Sequence, residues 1–267
     1  MHKRIGLARA LSKSGYCSRS QASILIRAGR VVLNGRVVRD PEASVRMRNA
    51  RMQNGHIADR IEIDGTPVGK ALPIYLIMNK PRGIVTTASD EKGRKTVYDL
   101  LDQGLPWVGP VGRLDKASEG LLLLTNDSEW AANITDPSTH LNKKYHVQVD
   151  CVVDDDLLAK IVRGCQDAST SSERDILARN RLARDREDLC AKAARLLRYG
   201  DKNSWLEITL DEGKNRQIRR LLETWQVRVL RLVRVSIGPL ELGDLKKGAM
   251  RELTPEEKCL LDGEISK

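Results

Sequence analysis

The sequence predicts an α+β protein: a small basic α/β domain followed by a larger domain on a mixed, largely antiparallel sheet. Three observations carry this. Strand-like runs recur at 74–80, 83–87, 120–125, 144–150, 204–210 and 227–238. No regular helical crossover separates them, so flanking helices on a mixed sheet fit better than a doubly wound parallel sheet. Ahead of them, two short helix patterns and a hairpin signal form a group of their own.

In order along the chain, "RIGLARALSKSG" sets Ile5, Leu7, Ala8 and Leu11 at helical spacing, with Gly15 as the stop. "CSRSQASILIRAG" opens with Ser18 and Gln21 in a capping-box arrangement. Ala22, Leu25 and Ile26 supply its apolar face, and Gly29 ends it. "RVVLNGRVV" turns at Asn34-Gly35, a strong hairpin signal, and "IEIDG" alternates as a further strand. Residues 46–59 read as a basic loop, and "GTPVGKALP" (65–73) has the Gly/Pro content of a linker. The 267 residues suit about two domains, and the cut falls near residue 70: 1–70 and 71–267. In the second part, helix patterns stand at 96–103, 154–164, 186–198 and 215–225.

Composition narrows the class. No apolar run approaches the roughly 20 residues of a membrane span, and the charged N-terminus is not a signal peptide. Five scattered cysteines, with no C-x-x-C pair, argue against zinc or a disulfide framework and for a reduced, cytoplasmic setting. The net charge of +10 is concentrated: residues 1–70 hold fourteen Lys/Arg against five Asp/Glu, leaving +1 for the other 197. Such a basic segment is the footprint of a polyanion-binding module.

Three stretches of the second part carry chemistry. "PVGRLDKASEGLLLLTND" (110–127) sets Arg113 and Asp115 between Gly112 and Gly120, ahead of a buried strand. A short loop fixed to such a strand is a rigid mount for a reacting group. In "KKYHVQV", Tyr145 alternates onto the face of Val147 and Val149, toward the core or a cleft. "EGKNRQIRRLLETW" begins a helix with apolar Ile218, Leu221 and Leu222, and distributes Arg216, Arg219 and Arg220 around its first turns. Neither a phosphate-binding glycine loop nor G-x-G-x-x-G is present.

Residues 18–38, "SRSQASILIRAGRVVLNGRVV", resemble the S4 RNA-binding domain, which implies RNA contacts at Arg19, Arg27 and Arg30. Together with "YLIMNKPRGIVTT", the 110–127 stretch, "KKYHVQV" and the segment from Glu212 to the C-terminal "RELTPEE", nearly the whole chain resembles the RsuA/RluB family of pseudouridine synthases. The resemblance implies a pseudouridine synthase fold and an isomerase that moves uracil within one nucleotide, without cofactor or metal. It implies Asp115 as catalytic aspartate, Arg219 as its charge partner and Tyr145 as the stacking residue near C5. Arg113 is implied as a contact to the extruded nucleotide's phosphate or a support of the loop, Lys80 as an RNA contact or a buttress of the cleft, and Arg216 as a substrate or RNA contact. The expected substrate is ribosomal RNA, large-subunit rather than small-subunit, acted on by a cytoplasmic monomer in ribosome biogenesis, with no membrane partner. A non-catalytic RNA-binding assembly protein is the alternative. The chain departs from the family at Ser20, Ser118 and Gln226, the last standing where a glycine commonly ends the arginine helix.

Overall fold

The computed structural model describes residues 4–46, 59–69, 71–88, 90–164 and 189–265. The predicted basic loop 46–59 lies, apart from its two ends, outside the described residues. The chain forms two compact units. One comprises Met1–Leu76, Leu101–Gly112 and Leu123–Asn133, the other Ile77–Leu100, Arg113–Leu122 and Ile134–Lys267.

The first unit opens with β1 (Ile5–Gly6), α1 (Leu7–Lys13) and α2 (Arg19–Arg27). The capping box forms as expected: Gln21 N–H donates to Ser18 Oγ and Ser18 N–H to Gln21 Oε1, both at 3.1 Å. Leu7 and Leu11 of α1 pack with Ala22 and Ile26 of α2 in one apolar cluster. Then come β2 (Val31–Leu33), β3 (Arg36–Val37), β4 (Ser44–Val45), β5 (Ile61–Ile63) and β6 (Thr66–Pro67), with sheet order β3-β2-β5-β6 and β1 paired to β4. Asn34-Gly35 makes the expected tight turn, both residues at positive φ (52° and 80°). Asp64-Gly65 repeats the device at 50° and 78°. The linker reading of 65–73 is therefore corrected: Thr66 and Pro67 pair with Ile63 and Glu62 as the return arm of a hairpin.

Further along are β7 (Tyr75–Lys80), β8 (Gly109–Val111), β9 (Glu119–Thr125), α3 (Ser128–Thr135), β10 (Lys143–Val149), α4 (Asp155–Arg163), β11 (Ala193–Tyr199), β12 (Ser204–Leu210), α5 (Gln217–Thr224), β13 (Val229–Ile237), β14 (Leu240–Glu241), β15 (Met250–Glu252) and α6 (Pro255–Ile265). The large sheet runs β11-β12-β10-β13-β9-β7-β15, with β14 on β13 and β8 on β9. The first four of these strands pair antiparallel, and β13 meets β9 in parallel, a mixed sheet of the kind predicted. The division between the units cuts β7 after Leu76 and β9 after Leu122.

Three local expectations are overturned. Residues 83–87 form no strand: Gly83 sits at φ 94° and Val85 makes one isolated bridge to Thr96. Of the helix expected over 96–103 only a 3-10 turn, Val97–Leu100, exists, begun where the Asp99 carboxylate takes the Thr96 N–H at 2.6 Å. Of the helix expected over 186–198, the first three residues lie outside the described residues, and Ala193–Tyr199 is the outer strand β11. Its Ala, Leu and Arg content favours helix locally, but six of its seven residues pair along β12 and gain a ladder of backbone hydrogen bonds and an Arg195–Glu207 bond at 2.8 Å. Tertiary pairing overrides propensity.

Candidate active site

The loop from Gly112 to Ser118 joins β8 to β9 and is gripped from both ends. Gly112 takes φ 71°, and Ser118 N–H closes back on the Asp115 carbonyl at 3.0 Å. From the other side, segment 80–86 holds it. Thr86 Oγ donates to Leu114 O at 2.8 Å, and Gly83 N–H donates to Lys116 O at 2.7 Å. Lys80 Nζ donates to three carbonyls: Pro81 (3.1 Å), Asp115 (3.2 Å) and Ser118 (2.9 Å). Residues 83–87, expected as a strand, thus serve as a clamp on this loop.

Of the two roles expected of Lys80, an RNA contact or a buttress of the cleft, its hydrogen bonds fit the second. It is wholly buried, its three N–H bonds turned inward to the loop. Burial pushes its pKa down to about 8, with Asp115 and Glu119 opposing the fall and Arg234 adding to it.

Glycine is required after the loop. Gly120 sits at φ 101°, and a Cβ there would lie 2.2 Å from the Arg234 carbonyl oxygen. This close approach lets β13 run beside the start of β9, with Val233 opposite Glu119 and Arg234 opposite Gly120. Glu119 is itself buried and holds Arg231 through both oxygens (3.0 and 2.9 Å) and Lys247 at 2.8 Å. Burial alone would raise its pKa; the hydrogen bonds from Arg231 and Lys247 outweigh this and lower it.

The Asp115 carboxylate remains about one-third exposed, 35%, on this braced loop. Its ion-pair partner among the described residues is Arg216, whose Nη1 is 3.9 Å from Oδ2. Arg216 caps the start of α5 in the left-handed region, at φ 48°. Arg219, expected as the aspartate's partner, directs its N–H groups to backbone: to Val229 O at 3.3 Å and to Ala117 O, in the loop itself, at 3.2 Å. Burial presses the Arg219 pKa down, as do Arg216 and Arg82, while Asp115 opposes them. Arg219 therefore holds the loop and contributes positive field beside Asp115. Arg113 is exposed on the same loop.

Tyr145 lies on β10 with Val147 and Val149 on its buried face, as the alternation predicts. Its opposite number on β13 is Arg234, which in turn stands opposite Gly120. Tyr145 is thus tied to the loop through the sheet, with no hydrogen bond to Asp115 among the described residues. Arg19, Arg27 and Arg30 are exposed in the first unit, at and just beyond α2. Arg30 is already paired with Asp64. The sequence reading missed Thr86, Glu119, Arg231 and Lys247. Glu119 alone carried a signal, as the acidic residue of "ASEG" before the leucine strand.

A clamped carboxylate among arginines, with a tyrosine on the neighbouring sheet row, is an arrangement suited to an electron-poor carbon of an anionic substrate. Comparison with known proteins gives the family. Residues 74–224 match the family of RNA pseudouridylate synthases and residues 5–49 match the S4 domain. A crystal structure of a pseudouridylate synthase superposes with a TM-score of 0.59 and 26% identity, covering 96% of this chain and 99% of that one. Fold and sequence together define the class: an isomerase with a pseudouridine synthase fold. The chain belongs to the RNA pseudouridylate synthase family, in its RsuA/RluB branch, with an N-terminal S4 domain. It is 35% identical to the ribosomal large subunit pseudouridine synthase B of Bacillus subtilis, over 94% of this chain and 93% of that protein. It is 36% identical to an uncharacterized RNA pseudouridine synthase of Aquifex aeolicus, over 94% and 91%.

Proposed function

We propose that this enzyme converts a uridine of large-subunit ribosomal RNA to pseudouridine, using Asp115, and so acts in ribosome biogenesis. The substrate reading is supported by the Bacillus subtilis relative and by a second large-subunit synthase, from Haemophilus influenzae, at 32% identity. In the reaction the N1–C1′ bond breaks, C5 bonds to C1′, C5 gives up its proton and N1 gains one, so the product is an isomer. Asp115 acts on the sugar, at C1′ or on the C2′ proton. Tyr145 stacks on the uracil and assists loss of the C5 proton. Arg219 and Arg216 hold positive charge beside the carboxylate, and Arg113 meets a phosphate of the extruded nucleotide. Extrusion is needed because the reacting bond is shielded in a stacked helix. Residues 1–70, with Arg19, Arg27 and Arg30 at the surface, dock the RNA, and 71–267 carry the chemistry.

One observation carries this reading: Asp115 sits on a loop held by Lys80, Thr86 and Arg219, with its carboxylate left partly exposed. Its test is tritium release from C5 of labelled uridine in ribosomal RNA from cells lacking the enzyme. Wild type should release tritium and Asp115→Asn should not. Equal release by both would remove Asp115 from the chemistry.

A further inference from the structure

Arg82 stands inside the segment that clamps the Asp115 loop. On one side of it the Pro81 carbonyl accepts from Lys80 Nζ at 3.1 Å; on the other, Gly83 N–H donates to Lys116 O at 2.7 Å. The backbone of Arg82 is thereby held against the loop, while the residue itself is exposed. Its guanidinium makes a single hydrogen bond among the described residues, from Nη1 to Leu230 O at 3.4 Å, longer than an ordinary N–H···O bond. The carbonyl one residue earlier, Val229 O, takes Arg219 Nη1 at 3.3 Å. Two guanidiniums thus meet successive carbonyls at the start of β13, and Arg216 beside Asp115 is the third.

Other exposed arginines of this unit find carboxylates: Arg94 takes Asp90, Arg195 takes Glu207 and Arg228 takes Asp150. Arg82 has no carboxylate partner among the described residues. Glu119, the other acid near the loop, is already held by Arg231 and Lys247. Arg82, Arg216 and Arg219 therefore share one carboxylate, that of Asp115. Their mutual repulsion is felt at Arg219. Burial lowers its pKa first, Arg216 and Arg82 lower it further, and Asp115 opposes them. Like charges gathered beside one carboxylate cost free energy that a bound anion offsets. A phosphodiester, singly charged and able to take a guanidinium fork on two oxygens, fits this excess. An RNA strand carries one at every nucleotide.

We infer that Arg82 grips a backbone phosphate of the RNA strand next to the extruded nucleotide and so anchors that strand beside Asp115. The 80–86 segment then has two tasks. Lys80, Gly83 and Thr86 hold the loop from within, and Arg82 holds the substrate from outside. Both ends of the contact are set against the same few residues of backbone, which fixes the strand relative to the carboxylate. The inference rests on RNA being the substrate, adds one contact to that reading, and is independent of the role given to Asp115.

The test uses the full-length protein in two arms. In the first, the parent is Asp115→Asn, so that binding of labelled large- and small-subunit ribosomal RNA transcripts is read by fluorescence anisotropy without turnover. Adding Arg82→Gln should weaken binding about three- to tenfold. It should also lessen the slope of log affinity against log salt by about 0.7–0.9, the share of one phosphate. Arg82→Lys keeps the charge and loses the fork, so it should restore the slope with affinity within about threefold of the parent. In the second arm Asp115 is intact, and Arg82→Gln should raise the KM of tritium release about three- to tenfold with a smaller change in kcat. A residue that only braced β13 through Leu230 would behave otherwise, lowering Tm and kcat while the salt slope stayed as in the parent. That pattern, or an unchanged slope and KM in Arg82→Gln, would overturn the proposal. If Arg82→Gln loses affinity and slope but wild type releases no tritium, the activity reading fails and this contact stands. Failure of the parent to bind either RNA would overturn both.

Discussion

Lys80 shows how one residue can act on stability and activity with opposite sign. Its pKa falls from 10.5 to about 8 on burial, so between those values the unfolded chain binds a proton that the folded chain does not. Stability from this group therefore rises with pH across that window, and its cost is fully present below pH 8. The charged ammonium, however, holds three loop carbonyls, and the neutral amine has only two N–H bonds for them. Synthase activity should fall through an apparent pKa near 8 while the melting temperature does not fall from this cause; a pH–rate profile beside pH-dependent melts checks both. Lys80→Met, which leaves those carbonyls without their donor, should lower the rate of tritium release by about tenfold or more. Gln226 makes a separate case. It follows α5 at φ 60°, with its N–H on Glu223 O and that of Val227 on Leu222 O, both at 3.0 Å. This is a Schellman closure built on a residue that carries the left-handed penalty. Because Gln226 is exposed, Gln226→Gly should stabilise the protein by about 1 kcal/mol. That would appear as a rise of about 2–4 °C in Tm by calorimetry.

At the scale of the element, β9 couples the Asp115 loop to the sheet. Its first two residues allow little variation. Gly120→Ala would drive a Cβ into the Arg234 backbone at a left-handed position, so the β9–β13 pairing must open. A loss of about 3 kcal/mol or more is expected in denaturant titrations, with tritium release abolished as Asp115 leaves its place. Glu119→Gln is milder. It keeps the shape but removes the charge that gathers Arg231 and Lys247. Since both partners are partly exposed, about 2 kcal/mol is expected, less than for a fully buried pair. The carboxylate's lowered pKa adds a check: its stabilisation is present above the unfolded-state value and is lost as pH falls through the depressed one. The difference in stability between wild type and Glu119→Gln should therefore shrink in acid.

At the scale of the molecule, charge and packing are divided differently. Residues 1–70 carry nearly all the excess charge, yet the unit they belong to also contains 101–112 and 123–133. Lys13 pairs with Glu129 at 2.7 Å, and Asn126 bonds the backbone of Leu72 and Ile74 at 2.9 and 2.8 Å. Cutting the chain at residue 70 would strip partners from that unit, so charge reversal is the cleaner probe. Arg19→Glu and Arg27→Glu should each weaken RNA binding. Each should also lessen the slope of log affinity against log salt by about 0.7–0.9 for every phosphate no longer neutralised. An unchanged slope, measured from 50 to 200 mM salt, would mean that these arginines do not touch RNA.

Much of this protein was legible in its residues alone. Capping chemistry set α2, Asn34-Gly35 set its hairpin, and strict alternation set β10 and the buried side of Tyr145, because each depends on groups a few positions apart. The position of Asp115 between two glycines ahead of a leucine strand was legible for the same reason. Other outcomes depended on what a second segment of the chain offered. Ala193–Tyr199 became a strand only because β12 offered a ladder. Residues 83–87 became a clamp because the loop at 112–118 offered its backbone. Lys80 turned inward, and Arg216 rather than Arg219 became the carboxylate's ion-pair partner, because carbonyls of Pro81, Asp115, Ser118, Ala117 and Val229 competed for their N–H groups. Local geometry and hydrophobic period determine which residues can serve; which polar group meets which is decided only when the tertiary fold brings donors and acceptors within about 3 Å.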